Sequence, residues 1–470
     1  ERTLNQNVFP LSKEFKVAPD KVAATKVKTE VYCTPVLQTT QLERFNGKLA
    51  QLVQAIIKRN LNPPVLHALR SPDLVDNVID KFFETFVSIS CLNEAKGTYL
   101  YEDDKWLEDW IATRTSHQTK MMTGLTIDNL REKVYNATLK KDLKPDLSGK
   151  HTVEMSAGQI LAAHDPIITA KYSASFKCLS VILKHSLLDK WIINDGLTLE
   201  ELSNQMDEVM SRKHACCFLE IDFSKYDKSQ EDILLEIQLG IMTKLGMPQY
   251  IVDSWRENHT TSTLIFHEVG LSVKTRYQRK SGDVFTFMGN TIVAMSVLAY
   301  VYDLCEAEGG VFGGDDSLIV FKKDKELSNQ STVIADTFNL SCKVMSVPEA
   351  PYFSSKLLIY VKTRYLFVPD PLKAITRLGR HDLFCKQHIE EYYNSFRDGC
   401  KPFFNVDIRT ATYLAAMKRY EGIVKHMPDL RMLMDFLANV ARDKNKFMKL
   451  YTASFTTWNR PMPESLRLEE

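Results

Sequence analysis

The 470-residue sequence has no surplus of either charge: 60 Lys and Arg against 59 Asp and Glu leave a net charge of +1. The chain as a whole advertises no polyanion partner, so any nucleic-acid channel must be a local basic lining within a neutral whole. No C-x-x-C pair occurs among the nine cysteines, and their number is odd. That usage fits free thiols in a reducing compartment. No apolar run approaches the roughly 18 residues of a membrane span. Ile292 to Tyr302 is too short and reads as a buried helix. No secretory signal opens the chain. No Gly-x-x-x-x-Gly-Lys-Ser/Thr motif exists, because Lys144 stands where Gly149-Lys150 would need a glycine. The chain is therefore expected to carry no P-loop helicase of its own. Internal repeats and low-complexity tracts are missing. The first residue is Glu1, which implies a processed product, a trimmed chain or one part of a larger polyprotein.

What is present is an ordinary globular composition, 44% apolar and 25% charged. At this length, two to four subdomains are expected. The most informative stretch is Gly313-Gly314-Asp315-Asp316, entered by Gly310-Val311-Phe312 and left by Leu318-Ile319-Val320-Phe321. Two short apolar runs around Gly and Asp read as a β-hairpin with its polar residues at the tip. Adjacent carboxylates on a rigid tip repel each other unless a cation sits between them. An Asp-rich surface turn is the plain alternative for a lone Gly-Asp-Asp. A second acidic site upstream and a Gly/Asn/Thr-rich segment between the two argue against it.

Residues 1–40 are polar and irregular, with little to bury. Helical spacing runs over 41–59 and stops at Pro63-Pro64. Lys58 and Arg59 at its end suit the helix dipole or contact with an RNA strand. Two more amphipathic helices are predicted over 73–90 and 104–113. Lys140, Lys141 and Lys144 precede Pro145. They form an exposed basic loop or a set of cations for a triphosphate, which needs them to arrive from one side. Residues 157–188 read as helix. Residues 215–222 read as a buried strand ending on Asp222, with Asp227 at the start of a helix over about 229–245 closed by Gly246. The loop Ser281-Gly282-Asp283 opens into a helix at about 289–304. A capping box would explain Ser281, but not Thr286, Asn290 and Thr291 on the same stretch. After the hairpin at 310–321, a helix is expected at about 325–339 and a strand at 341–345. A strand then turns back around Pro351 to Leu357, and the pattern is mainly helical from Pro369 onward. His381, Cys385 and His388 would share one helix face. Zinc could use them with Cys400 as a fourth ligand, but an ordinary helix explains them more simply.

In order, the chain carries a basic loop, Asp222-x4-Asp227, Ser281-Gly282-x3-Thr286-x3-Asn290-Thr291, Gly314-Asp315-Asp316, Lys343 and Phe353-Ser354-x-Lys356. This series resembles the right-hand RNA-dependent RNA polymerases of positive-strand RNA viruses, within the alphavirus-like group. The runs Asp222 to Gln230, Tyr277 to Asp283 and Gly314 to Leu318 are similar to tobamovirus and bromovirus polymerases. So are Pro369-Asp370-Pro371-Leu372 and Lys58-Arg59-Asn60, and a closterovirus-like source is also compatible. The resemblance covers about 50 to 390, and both flanks match loosely.

The resemblance implies an α+β fold shaped as a cupped hand. Its parts would be an N-terminal extension over 1–40, fingers over 41–214 and 241–285, and a mostly helical thumb over 366–470. The palm, an antiparallel sheet backed by helices, would come from 215–240 and 286–365. It further implies RNA-templated RNA synthesis for viral genome replication and transcription, by two-metal-ion transfer of nucleotides from NTPs to an RNA 3′-hydroxyl. Asp222 and Asp315 are the implied bridging ligands for Mg²⁺, or Mn²⁺ as substitute, with Asp316 nearby. Lys343 is the implied general acid. Lys140, Lys141, Lys144, Asp227, Ser281, Thr286 and Asn290 would bind the NTP, the last four beside its ribose. The related polymerases usually place an Arg in the basic pair, whereas both residues here are Lys, a point charge rather than a bidentate fork. Lys58, Arg59, Gly282, Phe353, Ser354 and Lys356 would contact RNA. Implied partners are template and product RNA, NTPs and the viral helicase and capping domains or subunits. The host membrane would be reached through those partners, in cytoplasmic replication complexes.

Two rival functions share parts of this pattern. A two-metal nuclease could use the same carboxylates, but would not need Asp227 and Asn290 arranged for a ribose. A catalytically idle polymerase fold serving as a scaffold would not be expected to keep Asp222, Asp315 and Asp316 together.

Overall fold

The computed structural model describes residues 15–17, 35–37, 39, 49–61, 73–100, 103–116, 119, 131–140, 158–210, 216–323, 325–347, 349–380, 383, 386–420 and 430–451. The thirteen strands among the described residues are β1 (Phe15–Val17), β2 (Val134–Leu139), β3 (Ile160–Ala163), β4 (Trp191–Ile193), β5 (Cys216–Phe223), β6 (Ser262–Phe266), β7 (Leu271–Thr275), β8 (Gly309–Gly313), β9 (Asp316–Lys322), β10 (Cys342–Val347), β11 (Tyr352–Phe353), β12 (Lys356–Val361) and β13 (Arg364–Pro369). They form three sheets, ordered β1-β7-β6-β2-β3, β10-β5-β9-β8-β4 and β11-β12-β13. The result is a mixed fold of sheets and helices.

The central sheet is antiparallel except where β4 runs parallel to β8. Strand β5 is apolar almost throughout because both its faces are covered. Cys217, Leu219, Ile221 and Phe223 join the largest core, with helices 74–86, 166–186, 232–245 and 286–301. Cys216 and Phe218 face the other way, toward a smaller core shared with β12, β13 and helix 199–210. Helix 286–301 is buried on every side over Met288 to Ala299, as an all-round apolar sequence requires. The β1-β7-β6-β2-β3 sheet packs on helix 49–59, and the helices after Pro371 build a core of their own. No helix among the described residues is long and apolar enough to cross a membrane.

Several expected elements move. The helix expected over 73–90 ends at Phe86, where Val87 is extended and bridges to Leu187. Ser88 then caps a second helix, Ile89–Tyr99, by accepting from the Cys91 N–H at 3.4 Å. The stretch over 157–188 is split. It opens as β3, and the helix starts only at Pro166, whose fixed φ suits a first turn. Helix 331–338 is shorter than the expected 325–339. Strands β2, β6 and β7 had no local signal strong enough to announce them. β4 falls in the range expected for the fingers yet pairs with the central sheet. Cys400 is buried in the C-terminal core, and burial pushes its thiol up to about 12. His381 and Cys385, on which the zinc arrangement depends, lie outside the described residues.

One polar contact ties the C-terminal helices to the central sheet. Glu220 on β5 is buried, and Arg419 donates to both its carboxylate oxygens at 2.7 Å. The Tyr352 N–H donates to the same carboxylate at 2.7 Å, and the guanidinium lies 4.7 Å from the Tyr352 ring centroid. Burial raises the Glu220 carboxyl, and Arg419 opposes that rise. Arg419→Ala should therefore destabilise the fold by about 3–5 kcal/mol, because it leaves a buried charge uncompensated. The loss should shrink on acidification, since a carboxyl with a raised folded pKa favours the folded state once protonated. Denaturant unfolding at neutral and acid pH checks both statements. A loss under about 1 kcal/mol would mean the pair is merely a screened surface contact.

Candidate active site

Strands β8 and β9 are joined by Gly314 and Asp315 alone, since Gly313 and Asp316 already pair. Gly314 has φ of +68°, while Asp315 keeps a negative φ. That is the pattern of a type II′ turn, which favours glycine at its first loop position and matches the strand twist. The Gly314 N–H donates to the Thr291 hydroxyl at 2.9 Å, so helix 286–301 pins the turn that carries Asp315.

The register of the central sheet places the carboxylates. Asp316 stands opposite Asp222, and Lys343 stands opposite Asp222 on its other side. Gly313 completes a row across four strands. Directly opposed residues project to the same face. A Cβ on Gly313 would lie 3.1 Å from the Phe353 ring, so glycine there leaves room for that ring. Asp222 and Lys343 are exposed, and Asp315 and Asp316 are half-buried. The residue facing Asp222 across the strands is thus Asp316, with Asp315 at the turn beside it.

The three aspartates line a cavity of about 820 Å³. Its lining also includes Arg59, Lys140, Asp227, Ser281, Thr286, Asn290 and Ser354. Lys225, in the left-handed region at φ 54°, turns the chain after β5 into the short helix Tyr226–Ser229. Asp227 is the second residue of that helix, and Asn290 is the fifth residue of helix 286–301. Neither sits at a cap, which removes the capping explanation for both. Instead they meet: the Asn290 Nδ2 donates to Asp227 Oδ1 at 3.0 Å. Burial pushes the Asp227 carboxyl up, and Asp315 adds to that rise. The Asn290 hydrogen bond, Arg279 and Arg59 act against it.

Ser281 and Thr286 line the cavity with their hydroxyls engaged. Ser281 donates to the Ile160 carbonyl at 2.6 Å, and Thr286 donates to the Lys280 carbonyl at 2.6 Å. Ser281 is therefore a tie to β3 rather than part of a capping box. Gly282 packs on β3, where a Cβ would meet the Ala162 carbonyl at 3.0 Å. The structure brings Lys140 to the cavity, while Lys141 and Lys144 lie outside the described residues. Arg59 reaches the cavity; Lys58 is not part of its lining. Ser354 and Ser355 form the tip between β11 and β12, both at positive φ, 47° and 63°. Two serines in that conformation carry strain, which local structure must hold in place. Phe353 is 1% exposed, so only its backbone and neighbours are available to a ligand. Lys356 donates to the Ser354 carbonyl at 3.2 Å; like Lys343, it is not part of the lining.

Sequence reasoning gave no role to four contributors. Thr291 holds the turn. Gln230 and Arg279 hold Asn290, and their types in a polar motif gave no sign of burial. Lys280 is 2% exposed, with its ammonium 5.5 Å from the Tyr135 ring centroid and without a hydrogen-bond partner among the described residues. Burial pushes that ammonium down to about 7, against the pull of Asp283.

The donor set suits a hard divalent cation. Among the described residues no three His, Cys, Asp or Glu side chains converge tightly enough to hold one unaided. Mg²⁺ commonly uses one or two carboxylates, waters and substrate phosphates, and opposed carboxylates on a cavity wall supply the protein's share.

Comparison with known proteins follows this geometry. A family model described as RNA dependent RNA polymerase matches residues 10–448. The RNA-directed RNA polymerase of Barley stripe mosaic virus is 30% identical over 389 residues, covering 83% of this chain and 50% of that protein. The RNA-directed RNA polymerase 2a of Brome mosaic virus is 29% identical over 395 residues, covering 82% of this chain and 46% of that protein. A protein of Raspberry bushy dwarf virus named methyltransferase/helicase/RNA-directed RNA polymerase is 28% identical over 447 residues, 93% of this chain and 26% of its own length. The chain spans half or less of the length of these relatives. With its aspartate row and its Asp227–Asn290 pair on one cavity, the chain belongs to the RNA-dependent RNA polymerase family, in the alphavirus-like viral group.

Proposed function

We propose that this chain synthesises RNA on an RNA template, adding nucleotides from NTPs to an RNA 3′-hydroxyl in viral replication and transcription. One observation carries the reading: the opposed Asp222 and Asp316, the Asp315 turn and the Asp227–Asn290 pair share a single cavity. In this reading the central sheet belongs to the palm, the sheet on helix 49–59 to the fingers, and the helices after Pro371 to the thumb.

Asp222 and Asp315, with Asp316 beside them, would hold two divalent cations, Mg²⁺ or its substitute Mn²⁺. When bound, such ions ease deprotonation of the attacking hydroxyl and stabilise the charge on the leaving oxygen. Lys140, with Lys141 and Lys144, neutralises the triphosphate. Asp227 and Asn290 face the ribose, with Ser281 and Thr286 shaping the loop around it. Lys343 gives a proton to the pyrophosphate as its bond to the α-phosphorus breaks. Ser354 at the strained tip, Phe353 and Lys356 steady the growing strand, and Lys58, Arg59 and Gly282 lie along the RNA path. Helicase and capping parts, which one relative's name joins to its polymerase, are the proposed partners, and they would bring the chain to membrane-associated complexes in the host cytoplasm.

A primed RNA template, Mg²⁺ and labelled NTPs test the reading. Template-directed extension that stops on chelation is the expected result. A folded protein that shortens the RNA and never extends it would favour the nuclease.

A further inference from the structure

We infer that Arg279 is a positioning residue for sugar selection: it locks the Asn290 amide in the one orientation that lets the Asp227–Asn290 pair read a ribose 2′-hydroxyl. The inference rests on the ribose role proposed above.

Arg279 is 6% exposed, and no carboxylate forms an ion pair with it at contact distance among the described residues. A buried guanidinium without a contacting carboxylate is costly; its hydrogen bonds, together with the nearby charges of Asp227 and Asp283, offset that cost. Its Nε donates to Asn290 Oδ1 at 3.0 Å, and a terminal nitrogen donates to Gln238 Oε1. Its own backbone N–H donates to the Asp227 carbonyl at 3.0 Å. Arg279 therefore touches both members of the sugar-facing pair, one through its side chain and one through its main chain. Gln230 adds a second donor to Asn290 Oδ1 at 2.7 Å.

The orientation argument follows from donor chemistry. An asparagine amide can present either its oxygen or its nitrogen to a neighbour, and a glutamine can turn to suit. A guanidinium cannot, because it carries donors only. With Arg279 in place, a reversed Asn290 would set N–H against N–H. The Asn290 oxygen must then face Arg279, and the nitrogen must face Asp227. That leaves one N–H on Asn290 and one oxygen on Asp227 uncommitted, and both residues line the cavity. One donor and one acceptor are what a hydroxyl needs. Without Arg279, only Asp227 and the Gln230 amide, which can itself turn, would hold the Asn290 orientation, so the amide would be less firmly fixed and the pair would present its donor less often.

Gly289 is a second, independent sign of the same design. A Cβ there would lie 2.8 Å from Arg279 Nη1 and 3.1 Å from Gln238 Oε1. The guanidinium passes through the space that the missing side chain leaves.

The test compares incorporation efficiency for ribo- and deoxyribonucleotides in the parent, Asn290→Ala, Arg279→Met, Arg279→Lys and the double variant Arg279→Met/Asn290→Ala. Arg279→Met should narrow the ribonucleotide preference by about tenfold or more, because a site that loses its hydroxyl partners loses discrimination. The double variant should be no less selective than Asn290→Ala alone, as two members of one network are not additive. Arg279→Lys, which keeps a donor, should recover part of the preference. Equal slowing with both sugars in Arg279→Met, while Asn290→Ala changes the preference, overturns the inference and leaves the ribose role standing. An unchanged preference in Asn290→Ala overturns both. Should Arg279→Met fail to fold, Gly289→Ala carries the same comparison, since its methyl displaces the guanidinium without removing it.

Discussion

Asp315→Ala is expected to abolish nucleotide incorporation while the protein stays folded. Asp315 sits on the type II′ turn between β8 and β9, outside the hydrogen-bonded ladder, so its side chain does little for the hairpin. The turn itself depends on Gly314 and on its bond to Thr291, both of which the substitution leaves intact. Asp315 also raises the Asp227 carboxyl by like-charge repulsion. Removing it relieves that repulsion, so the melting temperature should equal or exceed the parent's. The functional loss has the opposite sign because a cation that neutralises phosphate charge in the transition state contributes several kcal/mol, on the order of 10³-fold or more in rate. Single-nucleotide addition on a primed template in Mg²⁺ reads the rate, and calorimetry reads the stability. Incorporation near the parental rate would remove Asp315 from the metal site and leave Asp222 and Asp316, which face each other in register, as its only pair.

Lys343→Leu is expected to slow the chemical step by about 10²–10⁴-fold, the usual contribution of a positioned general acid. Lys343 is exposed on β10 directly opposite Asp222, on the same face of the sheet as the carboxylates. Its stem is not packed into a core, so leucine should be tolerated there. The position is suited to reaching a phosphate drawn to the aspartates, yet Lys343 is not part of the cavity wall where the nucleotide would rest. The variant should therefore bind nucleotide nearly as well as the parent while reacting more slowly. Pre-steady-state addition across a range of pH separates these quantities. A weakened apparent affinity with an unchanged maximal rate would make Lys343 a phosphate-binding or structural lysine.

Much of the site was legible in the linear sequence because its signals are local. Gly314-Asp315 between two apolar runs can hardly be anything but a tight hairpin. The run into Asp222 is apolar at consecutive positions, which only a strand covered on both faces needs, and Gly246 closes the following helix in the left-handed conformation, as read. The apolar stretch Ile292 to Tyr302 announces a buried helix, but its expected start at about 289 is three residues late, which makes Asn290 look like a first-turn residue. The order of acidic, Ser-Gly and Gly-Asp-Asp motifs was enough to point to the family. Strands β2, β6 and β7 were not legible, since each is short; β6 and β7 pair with each other locally, and β2 pairs with β6 far away in the chain.

By itself, then, the sequence determined which chemical groups the site contains and the local turns that present them, because turn and periodicity signals act within a few residues. The tertiary structure alone decided which groups face which. It set Asp316 rather than Asp315 across from Asp222, buried Arg279 against Asn290, and joined Glu220 to Arg419 over 199 positions of chain. Strand register and buried polar pairing depend on contacts between distant segments, and a one-residue slip would turn every side chain of a strand to the opposite face without changing a single letter of the sequence.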